Sequence, residues 1–220
     1  MSNHASCGRE LCDGAEATVF VVDDEPSART SLQALVSSLG YPCVVFDSAE
    51  AFLESVEGDP CGCLITDLRM DGISGEALQE ELNRRGMMLP IIAISGYADT
   101  STAVRVMRRG AMTLLEKPCR NEELIEAIEQ ALARDARERE RQMRRRDFVR
   151  RLNELTDVEL EVFNNLLLGR PNKRIAKELD IGLRTAEAHR QRVFEKMGVA
   201  SVVELAKLAA LAGHRLPTGS

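Results

Sequence analysis

Along the first half of the chain, short apolar runs alternate with stretches of helical spacing. Thr18 to Val22 is a β-branched, apolar run that stops at Asp23, Asp24, Glu25 and Pro26. A run closed in this way, by acids and a proline suited to a first helical turn, predicts a strand followed by a helix. Leu32, Leu35, Val36 and Leu39 carry the helical period, and Gly40 stops it. Val44 to Phe46 predicts a second strand, and Ser48 opens a helix bearing Ala51, Phe52 and Val56. Cys63 to Ile65 predicts a third strand ending at Asp67, with a helix from about Gly75 to Arg85 after it. Ile91 to Ile94, a helix from about Asp99 to Arg109, and Thr113 to Glu116 complete the alternation. Asn121, followed by Glu122 and Glu123, suits the cap of a further helix. Five strand–helix alternations in this space predict an α/β doubly wound sheet of five parallel strands.

The second half reads as helix only. Thr156 and Glu159 form a capping box, with Leu155 and Leu160 as a hydrophobic staple, ahead of a helix through Val162 and Leu166 to Gly169. Asn172 to Leu179 predicts a short helix, Asp180 to Gly182 a turn, and Arg184 to Met197 a longer helix with Ala186, Val193 and Met197 on its apolar face. A second capping box, Ser201 with Glu204, opens a last helix through Leu205, Leu208 and Leu211. Two helices about a tight turn, the later one amphipathic and basic, predict an all-α helix-turn-helix unit. Between the halves, the helix from Asn121 could run through Leu124, Ile128 and Leu132 into the arginine-rich stretch. Continuous, it would fix the halves relative to each other; broken near Asp147, it would leave them tethered.

Charge sharpens this division. Residues 1–133 carry a net charge of −12, residues 134–151 of +5, and residues 152–220 of +1. An acidic half joined through an arginine-rich segment to a slightly basic half implies two domains with different partners. The arginines alternate with Glu138 and Glu140, which reads as a solvated helix stabilised by intrahelical pairs. The expected boundaries are a tail over 1–17, a first domain over 18–133, a linker over 134–151 and a second domain over 152–220. No apolar run approaches the ~18 residues of a membrane span, and the polar N-terminus lacks a signal-peptide core. The expected location is therefore cytoplasmic, where the six scattered cysteines read as free thiols rather than metal ligands.

In a doubly wound sheet the carboxyl ends of the strands gather on one edge, where ligands bind. That edge collects Asp23, Asp24, Asp67, Ser95 and Lys117. Taken singly, an acid pair before a helix is a cap, and a lysine at a strand end is a surface charge. Together they suit one task. Three carboxylates match the oxygen preference of Mg2+, the Lys117 ammonium offsets the charge of a phosphoryl group, and Asp67 is the carboxylate nucleophile. Ser95 brings a hydroxyl for a phosphate oxygen. In the second half, Arg184, Glu187, Ala188, Gln191 and Glu195 share an exposed helical face suited to base edges. Lys173, Arg174, Arg190 and Arg192 suit phosphate contacts, and His189 a packing or phosphate-bonding role.

On these residues, 18 to about 133 resemble a receiver domain of two-component response regulators. The resemblance implies that Asp67 accepts a phosphoryl group from a sensor histidine kinase. It also implies Mg2+ on Asp23, Asp24, Asp67 and the Arg69 backbone carbonyl, with Ser95 and Lys117 as the phosphate-sensing pair. Two positions depart from the family pattern. Asp71 replaces the usual proline, as either a modifier of metal affinity or phosphate lifetime or a solvent-pointing loop acid. Leu114 stands where many receivers carry an aromatic switch residue, which excludes a tyrosine-style hydrogen-bond readout. The segment Asn172-Lys173-x-Ile175-Ala176-x-x-Leu179-x-Ile181, then Arg184-Thr185-x-Glu187-x-His189-Arg190, resembles the LuxR-type DNA-binding domain over roughly 152–212. Val158, Gly182 and Ala186 depart from that pattern, and the smaller Ala186 predicts looser packing of the recognition helix. The domain order resembles FixJ-type transcriptional regulators.

The function this implies is a phosphorylation-dependent DNA-binding regulator, homodimeric when phosphorylated and acting on the transcription machinery. One alternative is a dimeric regulator indifferent to phosphorylation. Another is an aspartyl-phosphate phosphohydrolase, for which the short loops leave no substrate-selecting cap.

Overall fold

A computed structural model of the chain describes residues 16–96 and 100–214. Cys7, Cys12, Asp99 as a helix start, and all of the expected tail except residues 16 and 17 lie outside the described residues. The chain divides into two compact units at Arg139/Glu140.

The first unit holds strands β1 (Thr18–Val22), β2 (Cys43–Phe46), β3 (Gly62–Asp67), β4 (Ile91–Ser95) and β5 (Thr113–Glu116). Their helices are α1 (Pro26–Ser38), α2 (Ala49–Ser55), α3 (Gly75–Arg84), α4 (Thr100–Arg108) and α5 (Asn121–Asn153). All pairings are parallel, in the order β2-β1-β3-β4-β5. Successive side chains of a strand face opposite ways, so each central strand feeds two cores. Val19, Val21, Cys63, Ile65, Ile92 and Ile94 face one way, onto Leu32 and Val36 of α1 and Leu124, Ile128 and Leu132 of α5. Phe20, Val22, Leu64 and Ile91 face the other, onto Phe52 of α2 and Leu78 and Leu82 of α3. This is the doubly wound sheet expected from the alternation.

Helix α4 is held differently. Val106 is its one buried residue, in a small cluster with Leu68, Ala93 and Ala111. Polar bonds from α3 add to this. Glu76 takes both Arg105 and Arg109, each at 2.7 Å, while Gln79 and Asn83 donate to the Val106 and Arg109 carbonyls. The Arg105 hydrogen bond holds the Glu76 carboxyl below its ordinary range.

Helix α5 is continuous through the arginine-rich stretch, with no break near Asp147. Asn121 is its first helical residue rather than its cap, and the Arg120 carbonyl accepts from the Leu124 N–H at 3.2 Å. Asp135, expected among the solvated linker charges, is 3 % exposed. Its carboxylate accepts from the Gly62 N–H at 3.0 Å and from Arg139 Nε. Arg139 in turn donates to the Pro60 and Asp59 carbonyls. The start of β3 is thereby clamped to α5. Gly62 is required there, because its φ is 136° and a Cβ would lie 1.7 Å from the Thr18 carbonyl oxygen. Burial pushes the Asp135 carboxyl above the usual range, against the lowering hydrogen bond from Arg139. Cys43, Cys63 and Cys119 are free thiols as expected, whereas Cys61 is disulfide-bonded, which corrects the reading of every cysteine as free.

The second unit contains the end of α5 and helices α6 (Asp157–Leu167), α7 (Asn172–Glu178), α8 (Leu183–Met197) and α9 (Val202–Leu211). Phe148 of α5 is buried with Phe163, Leu166, Ile175, Val193, Phe194, Met197 and Leu205. The Thr156–Glu159 capping box forms in both directions. At α9 only half of the expected box forms: Ser201 Oγ accepts the Glu204 N–H, but the Glu204 carboxylate takes the Ala200 N–H instead.

Asp135→Ala leaves the Arg139 charge and the Gly62 N–H without their shared acceptor. The expected loss is about 3 kcal/mol, read as an earlier unfolding transition of the first unit in urea. An unchanged transition would remove the clamp from the account.

Candidate functional sites

The strand order places β1 beside β3, and the connections leave this pair in opposite directions across the sheet, which opens a crevice at their carboxyl ends. Asp23 follows β1 and is 1 % exposed; Asp67 closes β3 and is 8 % exposed. Two carboxylates in such a position need cations or donors. Lys117, after β5, supplies one ammonium to both, at 2.5 Å from Asp67 Oδ2 and 2.9 Å from Asp23 Oδ2. The remaining oxygens accept backbone amides: Glu25 N–H on Asp23 Oδ1 and Arg69 N–H on Asp67 Oδ1, both at 2.9 Å. Burial pulls the Lys117 ammonium down, and its bonds to Asp67 and Asp23 more than offset this, so it stands above its ordinary value.

The other expected residues fall around this bridge. Ser95 is buried at the end of β4, where its carbonyl accepts the Lys117 N–H at 2.8 Å. Asp24 is exposed, and its Oδ2 accepts the Asp71 N–H at 3.0 Å. Leu114 on β5 is half-buried against the cluster that contains Val106 of α4. Gly75 opens α3 directly over the site: a Cβ there would lie 2.2 Å from the Asp67 carbonyl oxygen. Neither Gly75 nor Glu50, which accepts the Ile73 N–H, was expected at the site, since each acts on another residue's backbone rather than through a side-chain pair. The carboxylates and the Arg69 carbonyl are hard oxygen donors of the kind Mg2+ takes, so the set fits that ion in chemistry. Among the described residues, however, no three acids gather about one point: Lys117 joins Asp23 to Asp67, and Asp24 turns to Asp71.

In the second unit, α7 and α8 are joined by a turn in which Asp180 takes a left-handed φ of 52° and the Ile181 N–H returns to the Ala176 carbonyl. Asp tolerates this conformation better than most residues. Lys173, Arg184, Thr185, Glu187, Ala188, Gln191 and Arg192 are all exposed. Gln191 meets Glu195 at 3.2 Å. Arg190 differs: it is half-buried, donates to Asn172 Oδ1 at 2.9 Å and stacks 5.1 Å above the Phe194 ring. Arg174 pairs with Glu178 at 3.0 Å. Ala186 is 1 % exposed and sits in the core with Val193 and Met197. Gly182 caps α8 without a side-chain bond.

Two contacts outside the expected set hold α8 in place. Arg151 of α5 donates to the Met197 carbonyl at 2.7 Å, satisfying the end of α8. Lys196 donates to Glu159 at 2.5 Å and to the Glu154 carbonyl. Burial raises the Glu159 carboxyl, but Lys196 and Thr156 lower it further, and it ends below its ordinary 4.5.

Residues 19–129 match the response regulator receiver domain, and residues 153–209 match the luxR family of bacterial regulatory proteins. The chain is 38 % identical to the transcriptional regulatory protein TdiR of Thauera aromatica over 192 residues, 87 % of this chain and 85 % of that one. It is 39 % identical to the transcriptional regulatory protein FixJ of Azorhizobium caulinodans over 195 residues, 89 % and 92 % of the two chains. The solved structure of the response regulator StyR superposes with a TM-score of 0.81 at 37 % identity, covering 89 % of this chain and 99 % of that one. Full-length FixJ from B. japonicum superposes at 0.57 with 35 % identity, covering 90 % and 97 %.

A Glu whose folded value is depressed adds stability above its unfolded value and loses it as pH falls through the folded one. Glu159→Gln should therefore melt below wild type near neutral pH. The gap should begin to close below 4.5 and vanish on further acidification. A gap independent of pH would exclude an ionic hold of Lys196 on Glu159.

Proposed function

Because the chain belongs to the FixJ-type two-component response regulators, a receiver domain followed by a LuxR-type DNA-binding domain, we propose that Asp67 is its phosphoacceptor and that Asp67 phosphorylation controls DNA binding. The observation that carries this reading is the Lys117 ammonium bonded at once to Asp67 and Asp23. It marks the place where negative charge is stabilised.

A carboxylate oxygen of Asp67 attacks the phosphorus of a kinase phosphohistidine. The nitrogen–phosphorus bond breaks as the aspartyl-phosphate bond forms, and the histidine leaves with the bonding pair. Lys117 follows the charge onto the phosphoryl oxygens. Ser95, buried one strand away and joined to Lys117 through its carbonyl, donates its hydroxyl to one of them. Asp23, Asp24, Asp67 and the Arg69 carbonyl would hold Mg2+, which offsets phosphoryl charge when bound. As Ser95 and Lys117 turn to the phosphate, Leu114 repacks against Val106, and α4 shifts on the few bonds that hold it. The altered face pairs two receivers. Two copies of α8 then meet paired half-sites in cytoplasmic DNA, from which the regulator engages the transcription machinery.

Arg184, Thr185, Glu187, Ala188 and Gln191 of α8 face the major groove, and Lys173 of α7 and Arg192 of α8 face phosphates. Arg190 braces α7 against α8 and reaches DNA only from that fixed position.

Acetyl phosphate should label wild type and leave Asp67→Asn unlabelled; equal labelling would move the acceptor elsewhere. Selection of bound DNA with and without phosphodonor should enrich a paired site only in the phosphorylated sample. Lys173→Ala should weaken binding to every sequence alike and reduce the salt slope by about 1.

A further inference from the structure

The loop between β3 and α3 is fastened to carboxylates from three elements. The Arg69 N–H donates to Asp67 Oδ1 at 2.9 Å, and the Asp71 N–H donates to Asp24 Oδ2 at 3.0 Å. Past these, the Ile73 N–H donates to Glu50 Oε1 of α2, also at 3.0 Å. Gly72 separates the last two bonds; its φ is 79°, and a Cβ there would lie 2.8 Å from Glu50 Oε1. The loop thus has a fixed end at Glu50 and a span, Arg69 to Asp71, held by two acids of the phosphorylation pocket.

A backbone N–H and a divalent cation make rival claims on one carboxylate oxygen. The N–H orients its acceptor towards the loop, whereas an ion draws it towards the other acids. Position 71 contributes through its backbone as well as its side chain, because proline in the same place has no N–H to give. The Asp71 carboxylate works in the opposite sense, since a negative charge at the mouth of the pocket attracts a cation.

We propose that the Asp71 amide is a positioning group that competes with the divalent cation for Asp24, so that cation binding releases the Asp71 N–H while Glu50 retains the far end of the loop. The inference rests on the assignment of Asp23, Asp24 and Asp67 to Mg2+. It makes the affinity of the pocket for the ion, and the protection of the Asp71 N–H, two readings of one bond.

Amide hydrogen exchange on the isotopically labelled full chain, with and without saturating Mg2+, tests it directly. Exchange at Asp71 should accelerate by about 10-fold on addition of the ion, while Ile73 stays within about 2-fold. Resonances of the three acids that shift with Mg2+ while Asp71 stays protected would overturn the competition and leave the metal assignment intact. No Mg2+-dependent shift at Asp23, Asp24 or Asp67 would overturn both. Calorimetric titration with Mg2+ gives an independent comparison between two variants that both lack the charge. Asp71→Pro should bind about 3- to 10-fold more tightly than Asp71→Asn, the effect of one hydrogen bond. Equal affinities in folded variants would overturn the proposal.

Discussion

The pocket at the strand ends depends on one ammonium shared by two carboxylates. Asp23 and Asp67 are almost wholly withdrawn from solvent, side by side at the ends of adjacent parallel strands. Burying such a pair costs several kcal/mol per ion unless charge and hydrogen bonds compensate. Lys117 supplies the charge, and the Glu25 and Arg69 amides supply the bonds. Everything that fixes Lys117 therefore fixes the pocket: the register of β5 on β4, the bond from its N–H to the Ser95 carbonyl, and the helices that bury the sheet. The arrangement is poised, because one cation serves two acids and added negative charge beside either would draw it away.

Much of this was legible in the sequence because it depends on local signals. Apolar runs ending in acids located β1 and β3, and the rule that parallel strand ends gather on one edge joined residues 94 positions apart, such as Asp23 and Lys117. What escaped was long-range or carried by backbone. Asp135 reads as one more charge in an arginine-rich stretch, yet it is buried because Gly62, 73 positions away, needs an acceptor. Gly75 and Glu50 shape the pocket through main-chain contacts that no residue type announces. The continuity of α5 was equally hidden, since its middle carries no apolar stripe to distinguish helix from tether.

The DNA-binding half shows the same contrast. Its caps and its turn follow from residue chemistry, and the exposed face of α8 follows from helical spacing. Arg190 reads as a phosphate contact in the sequence, but Asn172 and Phe194 hold it half-buried. Helix α8 is in turn braced at its C-terminal end by Arg151 and Lys196, so its pose rests on polar contacts at its middle and its end as well as on its core.

That bracing has a bearing on modularity. Phe148 and Arg151 belong to α5, ahead of the segment that matches the luxR family, which begins at 153. A fragment cut at that boundary would lose an aromatic from its core and the cap of α8, so the smallest self-sufficient piece of the second unit must begin upstream of Asp147. Recombination that exchanged receivers at the family boundary would likewise import a foreign helix end into the second core. The natural seam for swapping inputs and outputs lies inside a helix, near Arg139, rather than at its end.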